Sequence, residues 1–334
     1  MPEPTRASRR NFLAAALAGS AAALAPASAA QSTAESEWTP ERAQAALRSG
    51  TGTKLVLLGT GAGPVPGRPR HMTSHVMLSN GSAYILDCGL GVTDQFARTG
   101  ISFSAVRSVI ITHHHPDHNA EYGPFFLIGW TRGMIQPVKI YGPPPLAQMT
   151  ADYMRSIEAT IRFWAEDFEL QPLKMDGVHE LAEAGPVMKD ENVRVTSVLV
   201  QHPPVRPAYG YRFDFADRSI AFSGDTVPLE AVAQMARGAD VLVHEAIDMG
   251  AMERLTRENI RNGFPESFEV TMRHMRADHS PTEDVGRIAQ EAGVKVLVLS
   301  HLAPSFGVPD ETWRADAAKH FSGKIIVGHD LMVI

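Results

Sequence analysis

The sequence has a single cysteine, Cys88, among its 334 residues. No intramolecular disulfide can therefore form, and a zinc site built from several thiolates is excluded. Positive charge is also scarce, because 31 Lys and Arg residues face 37 Asp and Glu residues, which gives a formal net charge of -6. This balance provides no overall attraction to nucleic acid or to an anionic membrane, although a local basic groove remains compatible with it.

Long apolar runs are lacking at the N-terminus. The Ala- and Leu-rich stretch 14–25 is too short and too rich in small residues to span a bilayer comfortably. It follows the twin-arginine pattern of residues 8–13 and precedes small residues at 27–29 that suit cleavage. We therefore predict that residues 1–30 are a twin-arginine signal peptide. The mature protein is then expected in the periplasm or secreted, without stable membrane insertion after cleavage.

The remaining composition is that of a globular chain, with 44% hydrophobic and 20% charged residues. Length alone allows one large or two small domains. Residues 31–53 are polar and Ala-rich, which predicts a linker or N-terminal cap with a short helix over 40–48. The apolar run that begins at Lys54 marks the start of the main domain, which we place at 54–334. Within it, the amphipathic spacing of 146–168 predicts one helix, and Ser280 to Glu283 predicts a capping box with Pro281 at the first helical position.

The central motif is His113-His114-His115-Pro116-Asp117-His118, directly after a short buried strand that ends at Ile111. Four imidazoles and a carboxylate make a poor core and a good metal site. In an extended segment His113 and His115 point the same way, whereas His114 points away and is not expected to be a ligand. Imidazole and carboxylate ligands suit zinc, with iron or manganese as alternatives. A solvated His-rich loop is the competing interpretation.

Further polar residues stand at the ends of later predicted strands. These are His202, Asp225, His244, Glu245 and His301. Two features near the motif have open roles. Asp87 either orients a ligand imidazole or caps the following helix. The Gly-rich loop 59–64 is interpreted as a turn beside the site, because Pro64 and Pro66 prevent the helix that a dinucleotide site requires.

This constellation resembles the metallo-β-lactamase superfamily, from about Lys54 to His329. Within it the chain is most similar to ribonuclease Z and its arylsulfatase and phosphodiesterase relatives. The segments that carry this similarity are 58–61, 87–89, 208–212, 222–226, 244–246, 279–280 and 300–301. The resemblance implies an α/β (α+β) fold, a four-layer αββα sandwich with a two-metal site on one edge.

The resemblance also implies how the residues divide. The first metal falls to His113, His115 and His202, the second to Asp117, His118 and His301, with Asp225 bridging the two. The expected cofactor is two zinc ions per subunit, with Mn²⁺ or Fe²⁺ as alternatives. His279 resembles the family's non-ligand histidine that helps protonate the leaving group, while a neighbour of a helix cap is the plainer alternative. His244 and Glu245 are candidates to support the catalytic site, and His71, His75, His179, His274, His320 and His329 are assigned no function.

The chain departs from ribonuclease Z at 143–192, where the family's arm for transfer RNA would lie, because this region carries no basic run. We therefore expect a small-molecule ester as partner, either a phosphodiester or an aryl sulfate, rather than nucleic acid. The alternatives are a lactonase or β-lactamase-like hydrolase, a ribonuclease Z-type endonuclease, and a metal-binding protein without turnover. The arginines of 249–278 suggest either anion recognition or a solvated helical face, and a homodimer is implied by the resemblance alone.

Overall fold

The computed structural model describes residues 38–49, 51–135 and 137–334. The predicted signal peptide at 1–30 lies outside these ranges. The strands are β1 (Lys54–Gly59), β2 (Ser74–Ser79), β3 (Ser82–Leu86), β4 (Val106–Ile110), β5 (Lys139–Gly142), β6 (Val178–Glu180), β7 (Gly185–Lys189), β8 (Val193–Leu199), β9 (Tyr209–Phe215), β10 (Ser219–Phe222), β11 (Val241–Ile247), β12 (Val296–Ala303) and β13 (Lys324–Val327).

The helices alternate with these strands over most of the chain. They are α1 (Pro40–Arg48), α2 (Val92–Thr99), α3 (Pro116–Asn119), α4 (Tyr122–Thr131), α5 (Leu146–Ser156), α6 (Glu158–Phe168), α7 (Glu230–Met235), α8 (Met249–Arg261), α9 (Phe268–Asp278), α10 (Thr282–Ala292) and α11 (Asp310–Ala318). A short 3-10 helix covers Phe103–Ala105. None of the helices in the described ranges is long and apolar enough to cross a membrane.

The strands form two sheets that pack face to face. One has the order β1-β2-β3-β4-β5-β6 and the other the order β13-β12-β11-β10-β9-β8-β7. Between them lies a core of large apolar side chains from both sheets, including Leu57, Met77, Tyr211 and Phe213. Because the inner faces are apolar and the outer faces carry helices, the architecture has the four layers helix, sheet, sheet, helix. The predicted αββα sandwich is confirmed.

Each sheet also buries its outer face under helices. On the first sheet, α2 and α4 contribute Phe96, Phe125 and Phe126, which interlock as edge-to-face pairs. On the second sheet, α7, α10 and α11 cover the apolar surface with small residues and Trp313. Helix α1 lies where the sequence predicts it, and Gln44 on this helix donates a hydrogen bond to the carbonyl of Arg98.

Parallel pairing decides where the polar strand ends meet. Strand β4 pairs in parallel with β3 and β5, and β10 to β13 are parallel to one another. The carboxyl ends of these strands therefore open onto one edge of the sandwich, which is where α/β folds place their binding residues.

Two local predictions were wrong. The helix over 146–168 is two helices, because Ile157 has φ -108° and ψ 9° and the chain bends there. The bend lets Ile157 and Ile161 reach the core, while Trp164 later on α6 is 40% exposed. The capping box at 280–283 does not form, since Pro281 is the N-cap of α10 and the Ser280 hydroxyl donates instead to the carbonyl of Thr226, at 2.7 Å.

Candidate metal centre

The central motif sits at the shared edge, immediately after β4. His113 and His115 follow the strand, and Asp117 and His118 lie in the first turn of α3. The backbone therefore turns between two pairs of polar side chains, because Pro116 begins the helix at a position where its missing N–H costs nothing. Apart from His115, which is half-buried, these four side chains are withdrawn from solvent.

Three imidazoles converge on one point. Nδ1 of His115 lies 3.1 Å from Nε2 of His113 and 2.9 Å from Nε2 of His202. Ligand atoms bound at about 2.1 Å to one tetrahedral ion lie roughly 3.4 Å apart, so this spacing suits a shared divalent cation. Strand β8 brings His202 to this point from the second sheet, 87 residues away along the chain.

A second convergence involves Asp117, His118 and His301. Nε2 of His301 is 3.3 Å from Oδ2 of Asp117, and Nε2 of His118 is 3.9 Å from the same oxygen. Nε2 of His118 is buried and has no hydrogen-bond partner in the described part of the chain. A buried nitrogen that makes no hydrogen bond is costly, and a cation that accepted its lone pair would remove this cost, so this atom fits a metal ligand.

Asp225 lies between the two groups. Its Oδ2 is 3.2 Å from Nε2 of His118 and 3.1 Å from Nε2 of His301. The same oxygen is 3.8 Å from Nε2 of His113 and 3.9 Å from Nε2 of His202. One carboxylate oxygen thus faces imidazoles of both groups, which is the position that a bridging ligand requires. The structure therefore brings together all seven residues that the sequence pattern and the resemblance select.

The buried charges of the centre favour a bound cation. Burial lowers the pKa of His113 well below its usual value and that of His115 to about 4, which keeps both imidazoles neutral and able to bind metal. Burial also acts to lower the pKa of His301, but the carboxylates of Asp225 and Asp117 outweigh it and raise the pKa to about 10. The carboxylates at this end of the cluster draw in a cation, which a divalent metal would supply.

Hydrogen bonds hold the far sides of the ligand rings. Oδ2 of Asp87 lies 2.9 Å from Nδ1 of His118, and Asp87 also accepts from the backbone N–H and the hydroxyl of Thr112. Nδ1 of His202 lies 2.9 Å from the carbonyl oxygen of Asp278. Of the two roles left open for Asp87, the structure shows it oriented on a clustered imidazole. The Gly-rich loop lies beside the site as predicted, since the N–H of Gly63 donates to Asp117 at 2.8 Å.

His279 and Glu245 form a buried pair next to the cluster. Nδ1 of His279 is 2.8 Å from Oε2 of Glu245, and the His279 ring stacks on His301 with centroids 5.6 Å apart. Glu245 also accepts a hydrogen bond from the backbone N–H of Thr226 at 2.6 Å, which fixes its carboxylate. Burial acts to lower the pKa of His279, but Glu245 outweighs it and raises this pKa. Glu245 therefore favours the protonated form of His279, the form that can donate a proton.

His244 lies behind the cluster and away from solvent. Its Nδ1 is 2.8 Å from the carbonyl oxygen of Glu245, whereas its Nε2 has no partner among the described residues. It lines a small space of about 20 Å³ together with His75 and Ser300, which is enough for one water molecule. Burial lowers the pKa of His75 to about 3, so this ring is neutral. Neither histidine lines the larger cavity on the other side of the cluster.

Two further histidines, His114 and His274, lie near the cluster. His114 is turned away from the cluster and lies 2.8 Å from the carbonyl of Pro143, as the alternation predicts. His274 is the residue that the sequence analysis overlooked, because α9 carries it to the edge of the site, 5.4 Å from His279 and 6.5 Å from His115 between ring centroids. The signal in the sequence was its spacing of four residues from Asp278 on one helix, which lets the two side chains pair.

Comparison with known proteins identifies a family and several relatives. A family described as a β-lactamase superfamily domain matches residues 83–302. A ribonuclease Z from Mycobacterium bovis is 31% identical over 290 residues, covering 83% of this chain and 96% of its own. A second ribonuclease Z, from a Mycobacterium sp. strain, is 34% identical over 285 residues, covering 83% and 94%.

Solved structures show the same fold. The metallo-β-lactamase fold protein YhfI from Bacillus subtilis has a TM-score of 0.61 at 20% identity, covering 84% of this chain and 98% of its own. The short form of human tRNase Z has a TM-score of 0.60 at 21% identity, with the same two coverages. The two mycobacterial relatives carry the name of the ribonuclease Z-type alternative drawn from the sequence.

Proposed function

This chain belongs to the β-lactamase superfamily, as a hydrolase of metallo-β-lactamase fold, and on that premise we propose that it hydrolyses phosphodiester bonds with two divalent metal ions. The observation that carries the proposal is the position of Asp225. One of its oxygens lies within 4 Å of imidazole nitrogens from both clusters, so two ions held there would share a ligand. Close metal pairs of this kind are typical of enzymes that cleave phosphate esters.

The proposed ligands are the two convergent groups. His113, His115 and His202 would hold one ion and Asp117, His118 and His301 the other, with Asp225 placed to serve both. Histidine and carboxylate ligands suit zinc, with manganese or iron as alternatives. Such ions activate a water nucleophile and neutralise charge on the phosphoryl oxygens.

The protein's own contribution to the reaction is proton transfer. His279 faces the cavity above the cluster and is held by Glu245 from the other side. When water attacks phosphorus and the leaving oxygen departs, that oxygen needs a proton, which His279 is placed to donate. Glu245 keeps the ring oriented and favours its protonated form, so it acts through His279 and does not itself contact the reacting atoms.

Two substrate classes remain within this reaction. The name of the ribonuclease Z relatives favours RNA, and this supports the endonuclease alternative more strongly than the sequence does. The cavity above the cluster, about 440 Å³, is of the size that encloses a small molecule. In addition, α5 and α6 occupy the region of the family's RNA-binding arm and carry no run of basic residues. We therefore keep the small phosphodiester as the lead candidate and the ribonuclease as the second.

A substrate panel tests the proposal. The mature protein is purified, its metals are counted, and it is assayed with bis(4-nitrophenyl) phosphate, an aryl sulfate, a lactone and a transfer RNA precursor. Two metals per chain with turnover of the phosphodiester supports the proposal, and cleavage of the RNA precursor would favour the second candidate. Turnover of the lactone alone, or of none of the four by fully metal-loaded protein, would refute it. The Asp225→Ala variant controls for a contaminating hydrolase.

We also propose export by the twin-arginine route. The argument is the pattern Arg9-Arg10 before the apolar stretch. Cells that express the full chain are fractionated, and the paired variant with Arg9→Lys and Arg10→Lys serves as the control. Export predicts a shortened protein in the periplasm or medium that is retained inside the cell in the double variant. A full-length protein in the cytoplasm for both chains would contradict it.

A further inference from the structure

The cavity above the cluster has two unlike walls. Its floor is formed by the polar cluster and His279, and its roof by one face of α8 and one face of α9. Residues three and four apart on a helix share a face, so Met252, Leu255 and Thr256 of α8 all point at the floor. Met275 on α9 joins them. Met252, Leu255 and Met275 are the apolar part of this roof, beside the polar residues Thr256, Asn259, Thr271 and His274, and all three are only half-buried, so a bound molecule could cover them.

The roof offers little to an extended polyanion. Arg254, Arg257 and Arg261 of α8 are exposed and do not line the cavity. Arg257, for example, pairs with Glu253 at 2.8 Å, as expected for a solvated helical face. Arg68 is the only lysine or arginine among the described residues that line the cavity. Its guanidinium lies 4.2 Å from the centre of the Phe306 ring. Because Asp117, Asp225 and Glu266 also line the cavity, its charge balance disfavours a polyanion and suits a ligand of low charge.

A buried hydroxyl marks the inner end of the roof. Thr256 is 1% exposed and its Oγ1 has no hydrogen-bond partner among the described residues. A buried hydroxyl without a partner costs free energy unless a ligand pairs with it. Binding sites for small molecules combine these features, an apolar lining with a few polar atoms that set orientation.

We propose that α8 and α9 make this protein selective for small monoanionic esters that carry one apolar substituent, aryl or branched alkyl. The substituent lies between Met252, Leu255 and Met275, while the scissile group lies on the polar floor. This inference rests on the proposed phosphodiesterase function and names its substrate class. Methionine side chains adapt to different shapes, so the roof recognises apolar volume more than one particular ring.

The expected effect follows from the area that is buried. Replacing a methyl by a phenyl substituent buries a group similar to a large apolar side chain, so kcat/KM is expected to rise roughly 10- to 100-fold. The test uses three 4-nitrophenyl phosphodiesters that share the leaving group and differ in the second substituent, which is methyl, phenyl or 2-naphthyl. The leaving group is constant, and comparison with the roof variants separates the contribution of the roof from the electronic effect of the second substituent on phosphorus.

Two variants of the roof and one matched control accompany the series. Leu255→Gln and Met275→Gln place a polar amide where the substituent lies, and each is expected to lower the phenyl-to-methyl ratio of kcat/KM by about 10-fold. Ile260→Gln makes the same kind of change on α8 at an exposed position outside the cavity and should retain the wild-type ratio. Thermal melts show whether each variant folds. Because the two roof variants lie on different helices, the test remains possible if one of them does not fold.

The outcomes separate this inference from the proposed function. Equal kcat/KM for all three esters, or an unchanged ratio in both roof variants, overturns the selectivity and leaves phosphodiesterase activity standing. If no ester is turned over, calorimetry compares methylphosphonate with phenylphosphonate on the metal-loaded protein. Tighter binding of the phenyl compound then supports the roof although the activity has failed. Equal binding of the two overturns the inference as well.

Discussion

Asp87 is the residue whose replacement tests the metal centre most selectively. It is 2% exposed and receives three donors, the backbone N–H and hydroxyl of Thr112 and the Nδ1–H of His118, at 2.8, 2.9 and 2.9 Å. Its φ is 60°, in the left-handed region that Asn adopts as readily as Asp. The substitution Asp87→Asn therefore keeps shape and backbone and removes only the charge and one acceptor oxygen.

The magnitude follows from these contacts. Asn retains one acceptor, so at least one of the three donors meets an NH2 group in a buried site. We expect the free energy of unfolding of the metal-free protein to fall by about 2–3 kcal/mol. His118 also loses the carboxylate that orients its ring and raises its basicity, which typically weakens metal binding about 10- to 100-fold.

The assay measures the two effects separately. Urea denaturation of metal-free protein gives the stability, and competition with a chromophoric chelator gives the zinc affinity. Asp190→Asn is the matched control, because Asp190 also accepts three hydrogen bonds, from Tyr84, Asn192 and Val193, but contacts none of the clustered histidines. It should lose stability with unchanged zinc affinity. Unchanged zinc affinity in Asp87→Asn as well would refute the reasoning and leave Asp87 a purely structural residue.

Four further outcomes are expected. His279→Ala should keep its metals and slow phosphodiesters with poor leaving groups more than activated ones, and Glu245→Gln should repeat this more weakly; a loss independent of leaving-group pKa in rate measurements would exclude the acid role. His114→Ala should lower the stability by about 1–2 kcal/mol in urea melts and leave the metal content unchanged. Zinc at 100 times its Kd should stabilise the protein by about 2.7 kcal/mol over the chelated form in calorimetry, and no shift would contradict a folded metal site. Thr256→Val should raise the stability of ligand-free protein by about 1 kcal/mol, since it removes a hydroxyl without a partner; a lower melting temperature would show that the hydroxyl is paired.

Much of the fold could be predicted because its signals are local. Helix α1 lies where the sequence places it, and a buried strand, β4, directly precedes the histidine motif as predicted. The ends of buried strands likewise indicated where the polar residues would gather, because parallel strands end at one edge. The division of those residues between two ions came from the resemblance and not from spacing.

The remainder depends on contacts between distant segments. The bend at Ile157 follows from how α5 and α6 wrap the core, which the unbroken apolar pattern does not reveal. His274 reaches the site only because α9 crosses above the cluster, where the neighbouring carbonyl of Asp278 lies beside His202, 76 residues earlier. The Ser280 hydroxyl likewise leaves its predicted capping role for a carbonyl 54 residues away. Packing overrode local preference at each of these positions.

The spread of the clustered residues along the chain has a consequence for the unfolded state. An ion held by His115 and His202 closes a loop across 87 residues, and one held by Asp117 and His301 closes a loop across 184. Covalent cross-links over comparable spans restrict the disordered chain by roughly 4–5 kcal/mol in loop-closure estimates. In a protein whose single cysteine rules out an intramolecular disulfide, the two ions would be its long-range cross-links, and chelation would release both loops at once.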